Sequence, residues 1–252
     1  MDLALRGKVA IVTGTGSQIG FGKGIALTLA KEGCDIIATD KDLEGAQKTA
    51  AEVKALGRKA KAVKADVSSS TEVNDMVKAA LAEFGKVDIL VNNAGTITPP
   101  KPFVETTEAD WDADINNNLR GVLNCTKAVL SHMISRQSGK IISIASSVAK
   151  TGGVNTSVYG AAKAGIMVFT KGLAAELAPL GINVNCIAPG QGNTGLSLQA
   201  PPGFLEKIIA MIPLGRSTTP QDIGNMVAFL ASDASSDIVG QTFSVDGGMT
   251  MY

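Results

Sequence analysis

Short apolar runs alternate with amphipathic stretches along almost the whole chain. Residues 8–13 are β-branched and apolar, show no polar alternation and stop at glycine, which predicts a strand buried on both faces. Residues 14–22 form a glycine-rich turn. Beyond it Ile25, Ala26, Leu29 and Ala30 recur at helical spacing up to Gly33, a helix-end candidate. Residues 35–39 predict a second strand that runs into Asp40, and the alanine-rich stretch 43–56 predicts a helix closed by Gly57. Residues 60–65 predict a third strand ending at Asp66-Val67. Ser69 and Glu72 have the spacing of a capping box and open a helix that runs to Phe84. A fourth strand, 87–91, leads into Asn92-Asn93-Ala94-Gly95.

The second half repeats the theme with longer helices. Pro99, Pro100 and Pro102 make residues 96–107 a loop, followed by one long helix over about 108–135. Residues 140–145 predict a fifth strand, 157–178 a helix, and 182–187 a sixth strand followed by Pro189-Gly190. Residues 191–216 read as irregular with a short helix. Thr219-Pro220 and Asp222 start another helix, and 241–245 close the chain as a seventh strand. Strands alternating with helices imply parallel strands joined by right-handed crossovers. The expectation is an α/β, doubly wound Rossmann-type fold. It has a single seven-stranded parallel sheet, helices on both faces, and one domain over 1–252. A (β/α)8 barrel is the rival architecture; the count of seven strands and the glycine-rich first turn argue against it.

Composition narrows the function classes. The chain has 252 residues, 45% of them apolar, with 28 glycines, which fits a globular domain and not a disordered one. Its 23 basic and 23 acidic residues cancel, so no electrostatic footprint for nucleic acid or an anionic membrane is expected. No apolar run is long enough to span a bilayer, and residues 1–6 lack a secretory apolar segment. Cys34, Cys125 and Cys186 are far apart in apolar contexts. They read as reduced core residues of a cytoplasmic protein. With His132 the only histidine, neither a histidine metal cluster nor a Ser-His-Asp triad is expected, and no metal site is predicted.

Strand, glycine turn, helix, strand, acid is a dinucleotide-binding pattern. Gly14, Gly16, Gly20, Gly22 and Gly24 would let the pyrophosphate approach backbone at a helix N-terminus; the alternative is a tight structural turn. Asp40 is placed to accept from both adenosine ribose hydroxyls and to repel a 2′-phosphate, which favours NAD over NADP. Lys23 and Lys41 soften that preference unless they are simply solvated. Asp66 could reach the adenine or cap a turn. Tyr159 and Lys163, four apart, would share one helix face, where an ammonium lowers the pKa of a phenol and makes it a usable proton donor; a half-buried ring beside a solvated lysine is the alternative.

Several short pieces in a fixed order resemble the short-chain dehydrogenase/reductase family over nearly the whole chain. They are Thr13-Gly14 with Gly20-Phe21-Gly22, Asp40, Asp66-Val67, Asn92-Asn93-Ala94-Gly95, Asn118-Leu119-Arg120-Gly121, Ser146, Tyr159 with Lys163, Pro189-Gly190 with Thr194, and Asp246-Gly247-Gly248. The resemblance is strongest to 3-oxoacyl-carrier-protein reductases and to polyol or secondary-alcohol dehydrogenases. It implies that Tyr159 is the general acid in ketone reduction and the base in alcohol oxidation. Lys163 would tune it and hold the nicotinamide ribose, Ser146 (with Ser147 as a rival) would hold the substrate oxygen, and Asn118 would hold a relay water. Asn93, Ala94, Gly95, Val67, Pro189, Gly190, the Ile187 backbone and Thr194 would line the cofactor, with Ile97, Thr98 and Val148 bordering the substrate.

One departure stands out. The family usually has three residues between its first glycine and the Gly-x-Gly pair, whereas Thr15-Gly16-Ser17-Gln18-Ile19 makes five here; the other alignment places Gln18 where glycine is expected. The resemblance further implies a homotetramer and an apolar substrate loop over about 191–216, which could equally pack on the core or on a neighbouring subunit. The expected activity is NAD(H)-dependent interconversion of a small secondary alcohol and a ketone. The alternatives are an NADPH-dependent 3-oxoacyl thioester reductase and a catalytically silent cofactor-binding paralogue. A dehydratase or epimerase would need further acid/base residues, and none is identified.

Overall fold

The computed structural model describes residues 3–192 and 203–251, with the Phe204 side chain outside that description. Seven strands form one sheet: β1 Val9–Thr13, β2 Asp35–Asp40, β3 Ala60–Lys64, β4 Ile89–Asn92, β5 Gly139–Ile144, β6 Ile182–Pro189 and β7 Thr242–Val245. Their order is β3-β2-β1-β4-β5-β6-β7 and every pairing is parallel. This is the doubly wound arrangement the alternation predicts. β1 and β2 are paired from Val9↔Asp35 to Thr13↔Thr39, so the glycine turn and Asp40 emerge side by side at the same edge.

The helices are α1 Phe21–Lys31, α2 Leu43–Ala55, α3 Ser70–Phe84, α4 Glu108–Ile115, α5 Gly121–Arg136, α6 Val148–Thr151, α7 Ser157–Leu177, α8 Phe204–Met211 and α9 Pro220–Ala231. Successive strand residues point to opposite faces. Ala10 and Val12 pack with Ile25 and Leu29 of α1, Val53 of α2 and Val227 of α9. Ile11 packs with Met76 of α3, Val129 of α5 and Leu177 of α7. All five residues of β1 are buried, which is why the strand reads as a continuous apolar run. The strand order reverses between β1 and β4, and the crevice at such a reversal is where open α/β sheets take their ligands.

Two features depart from expectation. The single helix over 108–135 is broken: a π turn, Asn116–Arg120, separates α4 from α5. The short helix α6 follows β5 where no element is expected. Within 191–216 the predicted short helix is α8, whereas Thr194, Leu196 and Leu198 lie outside the described residues. No helix among the described residues is long and apolar enough to cross a membrane.

Candidate active site

The reactive groups gather at the carboxyl ends of β4, β5 and β6. α7 carries Tyr159 and Lys163 one turn apart, on one face. Lys163 is 4% exposed and its ammonium donates to the Ile144 carbonyl at 2.9 Å. Burial disfavours the charged form and pulls Lys163 down to about 8. Tyr159 hydrogen-bonds the side chain of Ser146, two residues beyond the end of β5. Ser147, the rival hydroxyl residue, is buried and donates its backbone N–H to the Pro189 carbonyl at 2.8 Å. Ser146 is therefore the serine that meets the phenol, and Ser147 ties α6 to the end of β6.

The expected lowering of the Tyr159 pKa by Lys163 is corrected. Burial pushes the phenol above the ordinary tyrosine value; the Ser146 bond opposes the rise, and the negative Asp114 carboxylate adds to it. The Lys163 ammonium is turned toward Ile144 and stands 5.8 Å from the Tyr159 ring centroid, so desolvation outweighs its charge.

Asn118 is fully buried in the π turn. Its side-chain N–H group donates to the Asp114 carbonyl at 2.7 Å and to the Thr96 carbonyl at 2.8 Å. The first of these takes the acceptor that an α-helix would give to the Asn118 backbone N–H, and the helix widens there instead of continuing. Asn118 Oδ1 is buried with no hydrogen-bond partner. It points at Gly95, where an added Cβ would lie 2.5 Å from Asn118 Oδ1 and 3.2 Å from Lys163 Nζ. An unpartnered buried acceptor beside a buried donor is the polar surrounding that a bridging water needs.

Four residues back, Asp114 is also buried and accepts from the Thr98 N–H at 2.9 Å and the Thr98 hydroxyl at 3.1 Å. Sequence reasoning missed Asp114. Its signal was the i, i+4 relation to Asn118, which sets both on one helix face.

A nicotinamide dinucleotide fits the residues present. α2, α3, α4 and α9 are each capped by a side chain, Asp42, Ser69, Thr107 and Thr219. α1 begins at Gly20 with no side-chain cap and no acid in its first turn, so its N–H groups are free for phosphate. A Cβ on Gly22 would lie 2.0 Å from the Gly14 carbonyl oxygen, so α1 packs directly on the end of β1. That close approach supports reading Gly20-Phe21-Gly22 as the family's Gly-x-Gly pair behind a longer loop. Gly14, at φ +75°, faces Ala94 and Asn93, where a Cβ would come within 2.8 Å.

The remaining predicted cofactor residues line this edge in different ways. Thr13 Oγ1 accepts from the backbone of Asn93 at 3.0 Å and Ala94 at 2.9 Å, and the Asn93 amide donates back to the Thr13 carbonyl at 2.8 Å. These bonds lock the ends of β1 and β4 together. Asp40 Oδ2 accepts from the Gly16 N–H at 2.8 Å and its Oδ1 from the Asp42 N–H at 2.9 Å. Lys41, Ser17, Gln18 and Ile19 are exposed. Asp66 Oδ1 accepts from the N–H of Ser68 at 2.8 Å and its hydroxyl at 2.7 Å, which is the turn-capping arrangement, and the hydroxyl bond above all holds its carboxyl below the usual range. Val67 packs on Gly121 and gives its carbonyl to Asn124 at 2.9 Å. Gly190 sits against Asp246, where a Cβ would lie 2.7 Å from the Asp246 Cα. Among the proposed substrate neighbours, Val148 follows Ser146 and donates its N–H to the Ser146 hydroxyl at 3.3 Å, and Ile97 is half-buried beyond β4.

Comparison with known proteins shows which family the chain belongs to. A family model described as enoyl-(acyl carrier protein) reductase matches residues 14–250. The (2S)-[(R)-hydroxy(phenyl)methyl]succinyl-CoA dehydrogenase subunit of Thauera aromatica is 38% identical over 99% of both chains. The 3-oxoacyl-[acyl-carrier-protein] reductase of Thermotoga maritima is 37% identical over 99% of this chain and 100% of its own. The crystal structure of 3-ketoacyl-(acyl-carrier-protein) reductase from Brucella melitensis complexed with NADH superposes with a TM-score of 0.92 at 37% identity, covering 98% of this chain and 100% of that one.

Proposed function

Starting from the premise that this chain belongs to the short-chain dehydrogenase/reductase family and is an NAD(P)-dependent oxidoreductase of CH–OH and C=O groups, we propose that it interconverts a secondary alcohol and a ketone on an acyl thioester, using NAD(H). The observation that carries the chemistry is the hydrogen-bonded pair Tyr159 and Ser146, with Lys163 and Asn118 behind it. The relatives named above act on acyl groups carried by coenzyme A or a carrier protein, which supports a thioester over a free sugar or polyol. Asp40 beside the glycine turn supports NAD, as does the NADH in the Brucella melitensis reductase.

The cofactor supplies the hydride. The chain supplies everything around the reacting oxygen. With substrate bound, Tyr159 and Ser146 would each donate an O–H to the ketone oxygen, which gains most as it becomes an alkoxide. Tyr159 passes its proton to that oxygen, and a phenol held high by burial is fully protonated at neutral pH. Lys163 holds a buried proton close to that phenol, and the free Asn118 carbonyl is placed to orient the water that refills it. Asn93 and Thr13 keep the β1 and β4 ends rigid beneath. We also assign a homotetramer to this protein. Exposed Leu123 and Ile134 on α5 and Val168 on α7 supply apolar surface for such contacts.

Absorbance at the NADH band, followed with acetoacetyl-coenzyme A, butan-2-one and a polyol in parallel, tests the reading. Turnover of the thioester at least tenfold more efficient than of the others is expected. A polyol turned over best would overturn the thioester assignment.

A further inference from the structure

The two extra residues of the glycine loop are not slack. The Gln18 amide donates to the Gly16 carbonyl at 2.8 Å and to the Gly45 carbonyl in α2 at 3.1 Å. Its carbonyl oxygen accepts from Lys23 at 3.2 Å, and Lys23 pairs with Glu52 of α2 at 2.6 Å. Beneath it, a Cβ on Gly45 would lie 2.3 Å from the Gly16 carbonyl oxygen, so loop and helix are in backbone contact. The Thr49 hydroxyl of α2 donates to the Thr15 carbonyl at 2.8 Å. The loop is therefore bolted to the first two turns of α2 on the side where Asp40 leaves β2.

From this arrangement we propose that Gln18 is a specificity-determining residue: it latches the glycine loop over the start of α2 and closes the space that a 2′-phosphate on the adenosine ribose would need. The proposal rests on the reading that the ribose lies against Asp40. A helix N-terminus ordinarily attracts phosphate, and α2 would be the nearest one. Here its Gly45 N–H is already taken by the Asp42 carboxylate at 3.1 Å, and the Gly16 carbonyl is pressed onto the same residue. Lys23, a cation that could answer a phosphate, is held by Glu52 and Gln18. Lys48 pairs with Glu44 at 2.7 Å, and the charge of Lys41 acts on the Asp66 carboxylate. Charge and space thus act together. Removing the Asp40 charge alone leaves the latch shut, and opening the latch frees the room and leaves Lys23 with Glu52 as its one remaining named partner.

The test is a double-mutant cycle of Asp40→Ala and Gln18→Ala, with NADH and NADPH affinities measured by isothermal titration of the wild-type chain, both single variants and the double. The wild type is expected to bind NADH at least tenfold tighter than NADPH. Gln18 is exposed, so its truncation leaves the fold intact, and circular dichroism checks this. Each single change should improve NADPH binding a few-fold, and the double at least tenfold more than the product of the two. Gly45→Ala, which pushes the loop off α2 directly, should reproduce the Gln18→Ala effect on the ratio. A wild type that prefers NADPH overturns the Asp40 reading and the latch with it. NADH preference with independent effects of the two changes overturns the latch alone, as does a Gln18→Ala variant whose NADH/NADPH ratio is unchanged.

Discussion

The Lys163 ammonium donates to the Ile144 carbonyl at 2.9 Å, tying α7 to the end of β5 two residues before Ser146 leaves the sheet. The bond keeps a buried cation at a place where burial works against it. Lys163 is pulled down to about 8 in the fold, whereas an unfolded chain holds its lysines near 10.5. Between those values the unfolded chain binds the extra proton, so this group makes stability rise with pH from about 8 toward 10. Urea unfolding at pH 8 and pH 9.5 should show that gain, on the order of 2 kcal/mol. Lys163→Met should lose the gain and at least 100-fold of turnover together.

Asp114 acts on the Tyr159 phenol through its charge. Its charge helps to hold Tyr159 high, and Asn at this position keeps the size while removing the charge. In the reducing direction Tyr159 must be protonated, so the rate falls where the phenol ionises. Asp114→Asn favours the phenolate and should move the alkaline limb of the kcat/KM profile to lower pH. A profile displaced upward, or not displaced, would remove Asp114 from this role.

Gly95 is required by space and not by backbone angle. A methyl group there would stand 2.5 Å from Asn118 Oδ1, inside any normal contact. Gly95→Ala should therefore displace the Asn118 side chain and fill the cradle beside Lys163. We expect about 1–3 kcal/mol of lost stability, as overpacking typically costs, and NADH binding weakened at least tenfold in titration.

At the amino ends of the strands, Asp88 just before β4 clamps the fold. It is 4% exposed, and its carboxylate meets Arg136 at 2.7 Å, Lys86 at 2.9 Å and the Val9 N–H at 2.9 Å. Burial pushes its pKa up, but the Lys86, Arg136 and Val9 bonds together win and hold it below the ordinary aspartate value. A depressed carboxylate stabilises above its unfolded pKa and loses that contribution as pH falls through the folded one. Asp88→Asn should cost about 2–3 kcal/mol at pH 7 in urea unfolding, give a flatter stability profile below pH 4, and leave kcat unchanged.

Most of the sheet was legible because buried parallel strands announce themselves as apolar runs. β1, β2 and β6 start within a residue of where the pattern puts them. The break at Asn116–Arg120 was not legible, because it comes from one side chain taking one backbone acceptor, and no local propensity records that. The four residues of α6 are too few to show a period. Tyr159 and Lys163 showed in their i, i+4 spacing, whereas Ser146 and Asn118 were reached only through the family resemblance. The direction of the Tyr159 shift could not be read, because it depends on how deeply the ring is buried and on which way Lys163 turns. Gln18 showed only as an irregularity in a glycine pattern. Its meaning depends on Gly45, 27 residues away along the chain.

The central claim is that Tyr159 delivers the proton from a site whose other parts bind the cofactor without it. Tyr159→Phe keeps the ring and removes one oxygen. Reduction of acetoacetyl-coenzyme A by this variant should fall at least 1000-fold while its NADH dissociation constant stays within threefold of the wild type, a loss of more than about 4 kcal/mol of transition-state stabilisation with binding preserved. Turnover within tenfold of the wild type would contradict it.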